Sequence, residues 1–121
     1  MKTKILYVDD ESLNLKLFEI NFSKEHTVFL AEDGYKGLEI LNEEPEIKVI
    51  ISDMKMPGMS GIEFIMKARE MHPSKKYYIL TGFEITKEIL NALELGIILK
   101  YYRKPFNIKE IKAEISKAIN E

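Results

Sequence analysis

Five short apolar runs alternate along the chain with five stretches in which apolar residues recur at helical spacing. The runs fall at 5–8, 27–31, 49–52, 77–80 and 98–102, and the amphipathic stretches at 12–24, 35–43, 61–71, 84–95 and 107–120. Val49-Ile50-Ile51 is apolar at successive positions, as a strand buried on both faces should be. Ser60 with Glu63, and Asn107 with Glu110, have the spacing at which an N-cap side chain and the acid three residues on satisfy free backbone donors. Gly96 stands where a helix C-terminus is expected. Such regular alternation predicts right-handed crossovers and a parallel sheet covered by helices on both faces, a doubly wound α/β domain of five strands. No linker or repeat interrupts the pattern, so residues 1–121 are read as one domain, long enough to bury a real core.

The polar residues matter most where the predicted strands end, because ligands of such folds bind beyond the carboxyl ends of the strands. Strand one runs into Asp9, Asp10 and Glu11, strand three into Asp53, strand four into Thr81 and strand five into Lys104. Strand two, expected at the sheet edge, offers only Glu32 and Asp33. A lone Asp after a strand is ordinarily a turn residue, and Thr81 with Glu84 also fits a capping box. The convergence of all these groups on one edge argues for a site instead.

Composition narrows the chemistry. There are no cysteines, which excludes disulfides, thiolate metal sites and cysteine nucleophiles. Crowded carboxylates raise one another's pKa unless a cation sits among them. Oxygen-only ligands favour a hard ion, Mg²⁺ or alternatively Mn²⁺. Such a site suits attack by a carboxylate on a phosphoryl group, giving an acyl phosphate. Lys104 would place a point charge on one phosphoryl oxygen and Thr81 a hydroxyl donor on another. The net charge is only −2 and no Lys/Arg run appears, so direct nucleic-acid binding is not expected. Nor is a signal peptide or membrane span, which makes the cytoplasm the expected location.

With Val8-Asp9-Asp10-Glu11, Ile51-Ser52-Asp53-Met54-Lys55-Met56-Pro57-Gly58-Met59-Ser60-Gly61, Leu80-Thr81-Gly82 and Lys104-Pro105-Phe106 in this order, the chain resembles the receiver domain of two-component response regulators, the CheY-like superfamily. The resemblance spans nearly the whole chain and implies a flavodoxin-like strand order 2-1-3-4-5. It implies that Asp53 accepts the phosphoryl group. It also implies that Asp10, Asp53 and the Lys55 carbonyl bind the metal directly, with Asp9 acting through water. Thr81 would move to the phosphoryl group, Tyr101 would rotate inward behind it, Lys104 would pair with a phosphoryl oxygen, and the Lys104–Pro105 bond would be cis. The phosphoryl donor would be a phosphohistidine on a sensor histidine kinase or a histidine phosphotransfer protein, and the readout a downstream effector protein. The receiver would catalyse its own phosphorylation and dephosphorylation without being a conventional enzyme.

By the same resemblance, Lys55 and Phe83 face the mouth of the site and would tune the phosphate lifetime. The direction does not follow from sequence, and a solvated lysine without a role fits Lys55 equally well. Gly82, lacking a side chain, would leave the acceptor open to a bulky phosphohistidine. Taken alone, Tyr101 reads as an ordinary edge-strand aromatic; the resemblance makes it the toggle, while alternation sends Tyr102 to the other face. The changing surface would be the fourth helix, fifth strand and fifth helix, near Lys87, Lys100, Arg103 and Lys109. Leu13, Leu17 and Ile20 on the first helix offer a stripe for a kinase helix, of which core packing explains at least part. His26 and His72 read as surface or strand-end residues, and Met54, Met56 and Met59 as loop packing.

Three other functions fit less well. A haloacid-dehalogenase-type hydrolase needs an Asp-x-Asp-x-Thr motif after strand one, and none exists. A flavodoxin-like FMN protein needs a phosphate loop there, where Asp9-Asp10-Glu11 would repel the phosphate. A receiver that binds partners without phosphorylation would lack a site residue, and all are present. Whether the domain acts alone or within a longer protein stays open.

Overall fold

The computed structural model describes residues 2–105 and 107–120. Phe106 of the Lys104-Pro105-Phe106 motif lies outside them, as do Met1 and Glu121. The elements run β1 (Thr3–Val8), α1 (Ser12–Phe22), β2 (His26–Ala31), α2 (Gly34–Glu43), β3 (Val49–Asp53), α3 (Gly61–Met71), β4 (Lys76–Thr81), α4 (Lys87–Glu94), β5 (Lys100–Arg103) and α5 (Ile108–Ile119). The strands form one sheet in the order β2-β1-β3-β4-β5, every neighbouring pair parallel. This is the doubly wound fold that the alternation predicts.

Strand alternation divides the core in two. Leu6, Val8, Ile50, Tyr77 and Ile79 pack with Leu41, Phe64, Ile65 and Ile89 on the face covered by α2, α3 and α4. Ile5, Tyr7, Val49, Ile51, Tyr78 and Leu80 pack with Phe18, Phe22, Ile111 and Ile115 on the face covered by α1 and α5. The central β3 is buried along its whole length, which is why it reads as continuously apolar. Each fully buried aliphatic side chain contributes about 1.5–3 kcal/mol.

Capping explains several helix boundaries. Ser60 and Glu63 form a reciprocal capping box at α3, and the Asn107 side chain accepts from the Glu110 amide at α5. Asp33 caps α2 by accepting from Lys36 N, so it is committed to the helix rather than to the site. Gly96 follows α4 with φ +75°, the left-handed conformation that glycine adopts readily.

Most boundaries lie within a residue or two of the sequence reading, and two of the shifts have a visible cause. The fourth helix begins at Lys87, not near 84, because the Thr86 hydroxyl caps it through Ile89 N while Thr81 Oγ1 accepts from Phe83 N. The fifth strand begins at Lys100, not 98, because the amides of Ile97 and Ile98 still bond to Ala92 O at the end of α4. Among the described residues no helix is long and apolar enough to cross a membrane.

Candidate functional site

Parallel register brings the strands out of the sheet at nearly one level. Val8 pairs with Ser52, Asp53 with Leu80, and Thr81 with Arg103. Asp9 and Asp10 therefore leave β1, Asp53 ends β3, Thr81 ends β4, and Lys104 follows β5 along one edge. Asp9, Asp53 and Thr81 are buried and Asp10 is exposed. One carboxylate oxygen from each of Asp9, Asp10 and Asp53 lies within 4.8 Å of the others. The sequence expectation that these acids converge holds.

The Asp9 carboxylate accepts three hydrogen bonds. Glu11 N donates to Oδ1 at 3.0 Å, while Lys104 Nζ, at 2.8 Å, and the Tyr7 hydroxyl both donate to Oδ2. Lys104 Nζ also lies 3.4 Å from Asp53 Oδ2. Asp53 Oδ1 accepts from Met54 N at 2.8 Å. Burial pushes the Asp53 carboxyl up to about 6, the Lys104 ammonium opposes the rise, and Asp9 adds to it. Burial disfavours the Lys104 charge, but the Asp9 hydrogen bond and the charges of Asp53 and Asp9 outweigh it and raise its pKa. The Tyr7 phenol, desolvated and facing Asp9, is raised well above its ordinary value.

Does this donor set fit a cation? The ligands are all oxygen, the cluster opens to solvent at Asp10, and burial lifts the Asp53 carboxyl to about 6 despite the Lys104 ammonium. A hard divalent ion would supply the missing positive charge. The residues fit such an ion.

The cluster opens into a cleft of about 610 Å³ lined by Asp10, Asp53, Lys55, Gly82, Phe83 and Lys104. Beside it, Thr81 borders a pocket of about 460 Å³ with Met54, Met56, Phe83 and Thr86. Lys55 Nζ lies 4.9 Å from the centroid of the Phe83 ring, so the two mouth residues touch. A Cβ at Gly82 would meet Lys104 Cδ only at 3.7 Å, an ordinary contact. A Cβ at Gly61 would fall 2.2 Å from the Asp53 carbonyl oxygen, so glycine is what lets α3 start against the end of β3. Sequence reading quoted Gly61 within a motif but gave it no role. It also missed Tyr7, whose signal was its place two residues before Asp9 on one strand.

Tyr101 and Tyr102 lie on opposite faces, as alternation predicts. Tyr101 is half-buried against the Ile79 side, the face that Thr81 shares by alternation, and Tyr102 is buried beside Tyr78. The Lys104–Pro105 peptide is cis. Lys100 pairs with Glu114 at 2.9 Å, while Lys87, Arg103 and Lys109 are exposed. On α1 the core face is Phe18 and Phe22. Leu13, Leu17 and Ile20 are 67%, 39% and 63% exposed, so core packing does not account for the stripe they form. His26 begins β2 and is buried, whereas His72 ends α3. Met56 and Met59 are buried in the loop before α3, in keeping with a packing role.

Known proteins resemble this chain in sequence and fold. Sporulation initiation phosphotransferase F of Bacillus subtilis (strain 168) is 35% identical over 120 residues, covering 97% of this chain and 94% of that protein. The uncharacterized transcriptional regulatory protein YesN of the same organism is 32% identical over 98% of this chain, which spans only 33% of YesN. A response regulator receiver domain protein from Clostridium thermocellum superposes with a TM-score of 0.86 at 32% identity, covering 98% of this chain and 94% of that one. The model of the response regulator receiver domain matches residues 5–116, which include every residue of the acidic cluster and Lys104. Sequence, fold and acidic edge agree, and the chain belongs to the family of response regulator receiver domains.

Proposed function

We propose that residues 1–121 act as one Mg²⁺-dependent phosphorylation switch that takes a phosphoryl group onto Asp53. Receiver domains are signalling switches that work with histidine kinases or phosphotransfer proteins and with downstream effectors. The finer reading rests on one observation: Asp9, Asp10, Asp53 and Lys104 converge at the carboxyl edge of the sheet, open to a cleft.

Asp10, Asp53 and the Lys55 carbonyl would hold the ion, with Asp9 reaching it through water. When bound, Mg²⁺ supplies positive charge that offsets the carboxylates and the incoming phosphoryl oxygens. Asp53 attacks the phosphorus of a phosphohistidine: the new O–P bond forms as the P–N bond breaks, and the imidazole leaves with the electron pair. Lys104 stands 3.4 Å from Asp53 and is positioned to donate to a phosphoryl oxygen. Thr81 adds a hydroxyl donor once its bond from Phe83 N gives way. Its movement would free space on the face it shares with Tyr101, coupling the site to the α4, β5 and α5 surface read by an effector. Mn²⁺ is the alternative ion, and the cytoplasm the location in keeping with a kinase-coupled switch.

Acetyl phosphate tests the reading directly. Intact mass is measured with and without Mg²⁺, in the wild type and in Asp53→Asn. A Mg²⁺-dependent phosphoryl adduct on the wild type alone is expected. No adduct on the wild type would sink the switch, and an undiminished adduct on the variant would move the acceptor elsewhere.

A further inference from the structure

Tyr7 and Asp9 stand two apart on one strand, so their side chains leave the same face of the sheet. The Tyr7 ring is fully buried. It stacks on Phe18 with centroids 4.4 Å apart, and Phe18 stacks on Phe22 at 4.3 Å, which fixes the ring beneath α1. An aliphatic side chain would serve a core position of this kind. What the tyrosine adds is a hydroxyl, and it donates to Asp9 Oδ2.

That oxygen is shared. Lys104 Nζ donates to the same Oδ2 at 2.8 Å while lying 3.4 Å from Asp53. If Lys104 turns to a phosphoryl oxygen, buried Asp9 loses a donor, and a buried carboxylate short of partners is costly. The Tyr7 hydroxyl and Glu11 N remain, one on each oxygen, and keep the carboxylate oriented.

We propose that Tyr7 is a positioning residue for the metal and phosphoryl site, fixing the Asp9 carboxylate and keeping it compensated while Lys104 transfers to the phosphoryl group. This rests on the function proposed above. Groups that orient a direct ligand from behind are worth about 10–100-fold in metal affinity, and Asp9, reaching the ion through water, puts Tyr7 at the low end of that range. The ring itself never meets the phosphoryl group; it acts through Asp9.

The test is Mg²⁺ titration by calorimetry of the unphosphorylated wild type, Tyr7→Phe and Phe18→Leu, with melting temperatures measured alongside. Tyr7→Phe removes the hydroxyl and keeps the stack; Phe18→Leu loosens the stack and keeps the hydroxyl. Tyr7→Phe is expected to bind Mg²⁺ about tenfold more weakly. Phe18→Leu should bind within about twofold of the wild type despite melting earlier. Wild-type affinity in Tyr7→Phe, or an equal loss in Phe18→Leu, overturns the proposal. A measurement needing no variant is the Tyr7 hydroxyl proton resonance in the wild type, expected to shift on Mg²⁺ saturation; an unmoved resonance overturns it too. A wild type that binds no Mg²⁺ overturns both this role and the proposed function. A wild type that binds Mg²⁺, shows the Tyr7 effect and takes no phosphoryl group overturns the proposed function and the Lys104 transfer, but leaves the hold on Asp9.

Discussion

The Lys55 ammonium lies 4.9 Å from the centroid of the Phe83 ring, joining the loop after β3 to the loop after β4 across the mouth of the acidic cleft. Sequence placed both residues at the mouth and left their effect on the phosphate lifetime without a sign. Their contact supplies one. A cation resting on an aromatic face narrows the path of water to Asp53, and at an exposed site it is worth about 0.5–1 kcal/mol, or about 2–5-fold in the fraction of time the mouth is covered. Lys55→Ala and Phe83→Ala should each shorten the phosphoryl half-life of Asp53 about 2–5-fold. The double variant should be no worse than the worse single, because both remove the same contact. Timing loss of the adduct by mass answers this; unchanged or additive decay would mean the pair does not cover the site.

Lys104 pairs with Asp9 and Asp53 and would compete with a bound cation for both. Lys104→Met should therefore cost about 2 kcal/mol of stability in metal-free buffer, since Asp9 keeps Tyr7 and Glu11 N but loses its ammonium. Adding Mg²⁺ should remove most of that deficit, and the variant should bind the ion about tenfold more tightly than the wild type. Urea melts with EDTA and with Mg²⁺ measure both effects. A variant destabilised equally in the two buffers would show that Lys104 matters for packing, not charge.

The alternation of runs and amphipathic stretches made the fold legible, because a strand buried on both faces, such as β3, has a pattern that tolerates few other structures. The acids and Lys104 were legible because a parallel sheet brings strand ends to one edge, so position in sequence translates into position in space. What sequence does not carry is side-chain direction within a loop and partners made by packing. Thr81 with Glu84 had capping-box spacing, yet Thr86 caps α4, because Thr81 is drawn into the turn with Phe83. The stripe of Leu13, Leu17 and Ile20 looked partly like core, but Phe18 and Phe22 fill that role. The link from Tyr7 to Asp9 depends on a ring stack that no spacing rule encodes.

Gly61 and Gly82 both lie near Asp53 and should behave oppositely. Gly61 begins α3, where alanine is normally favoured over glycine. Its added methyl would nonetheless press on the Asp53 carbonyl oxygen at 2.2 Å, a backbone atom that cannot swing aside. Gly61→Ala should cost about 3 kcal/mol or more. Gly82→Ala meets only Lys104 Cδ at 3.7 Å and should stay within about 0.5 kcal/mol of the wild type, still taking phosphoryl from acetyl phosphate. Denaturant melts of the two single variants check the contrast, and equal stabilities would contradict it.

Variants of the exposed stripe on α1 would separate donor docking from chemistry. Leu13→Gln with Ile20→Gln alters residues that are 67% and 63% exposed, so stability should change by less than about 1 kcal/mol. Uptake from acetyl phosphate should be unchanged, because that small donor needs no docking surface. Transfer from a phosphohistidine-bearing kinase fragment should slow by about tenfold, the scale of losing one or two apolar anchors. Equal rates from both donors in variant and wild type would assign docking to another face.

Asp53 makes its own contribution to the pH dependence of the metal-free protein. Its carboxyl is raised from 3.8 to about 6, chiefly by burial, so the folded protein holds a proton there that the unfolded chain has released. Between those two values the Asp53 contribution to stability falls as pH rises, and above about 6 the full cost of the ionised buried group is present. Two units correspond to at most about 3 kcal/mol. In EDTA at pH 7.5, Asp53→Asn should thus be more stable than the wild type by up to about 3 kcal/mol, with the gap closing as pH drops toward 4. Saturating Mg²⁺ should close it at pH 7.5 as well, because the ion favours the charged carboxylate and binds the wild type alone at full strength. Melts over pH 4–8 read the gap directly; parallel curves in EDTA would mean that the ionised Asp53 is already compensated by Lys104, and the case for a missing cation would fail with it.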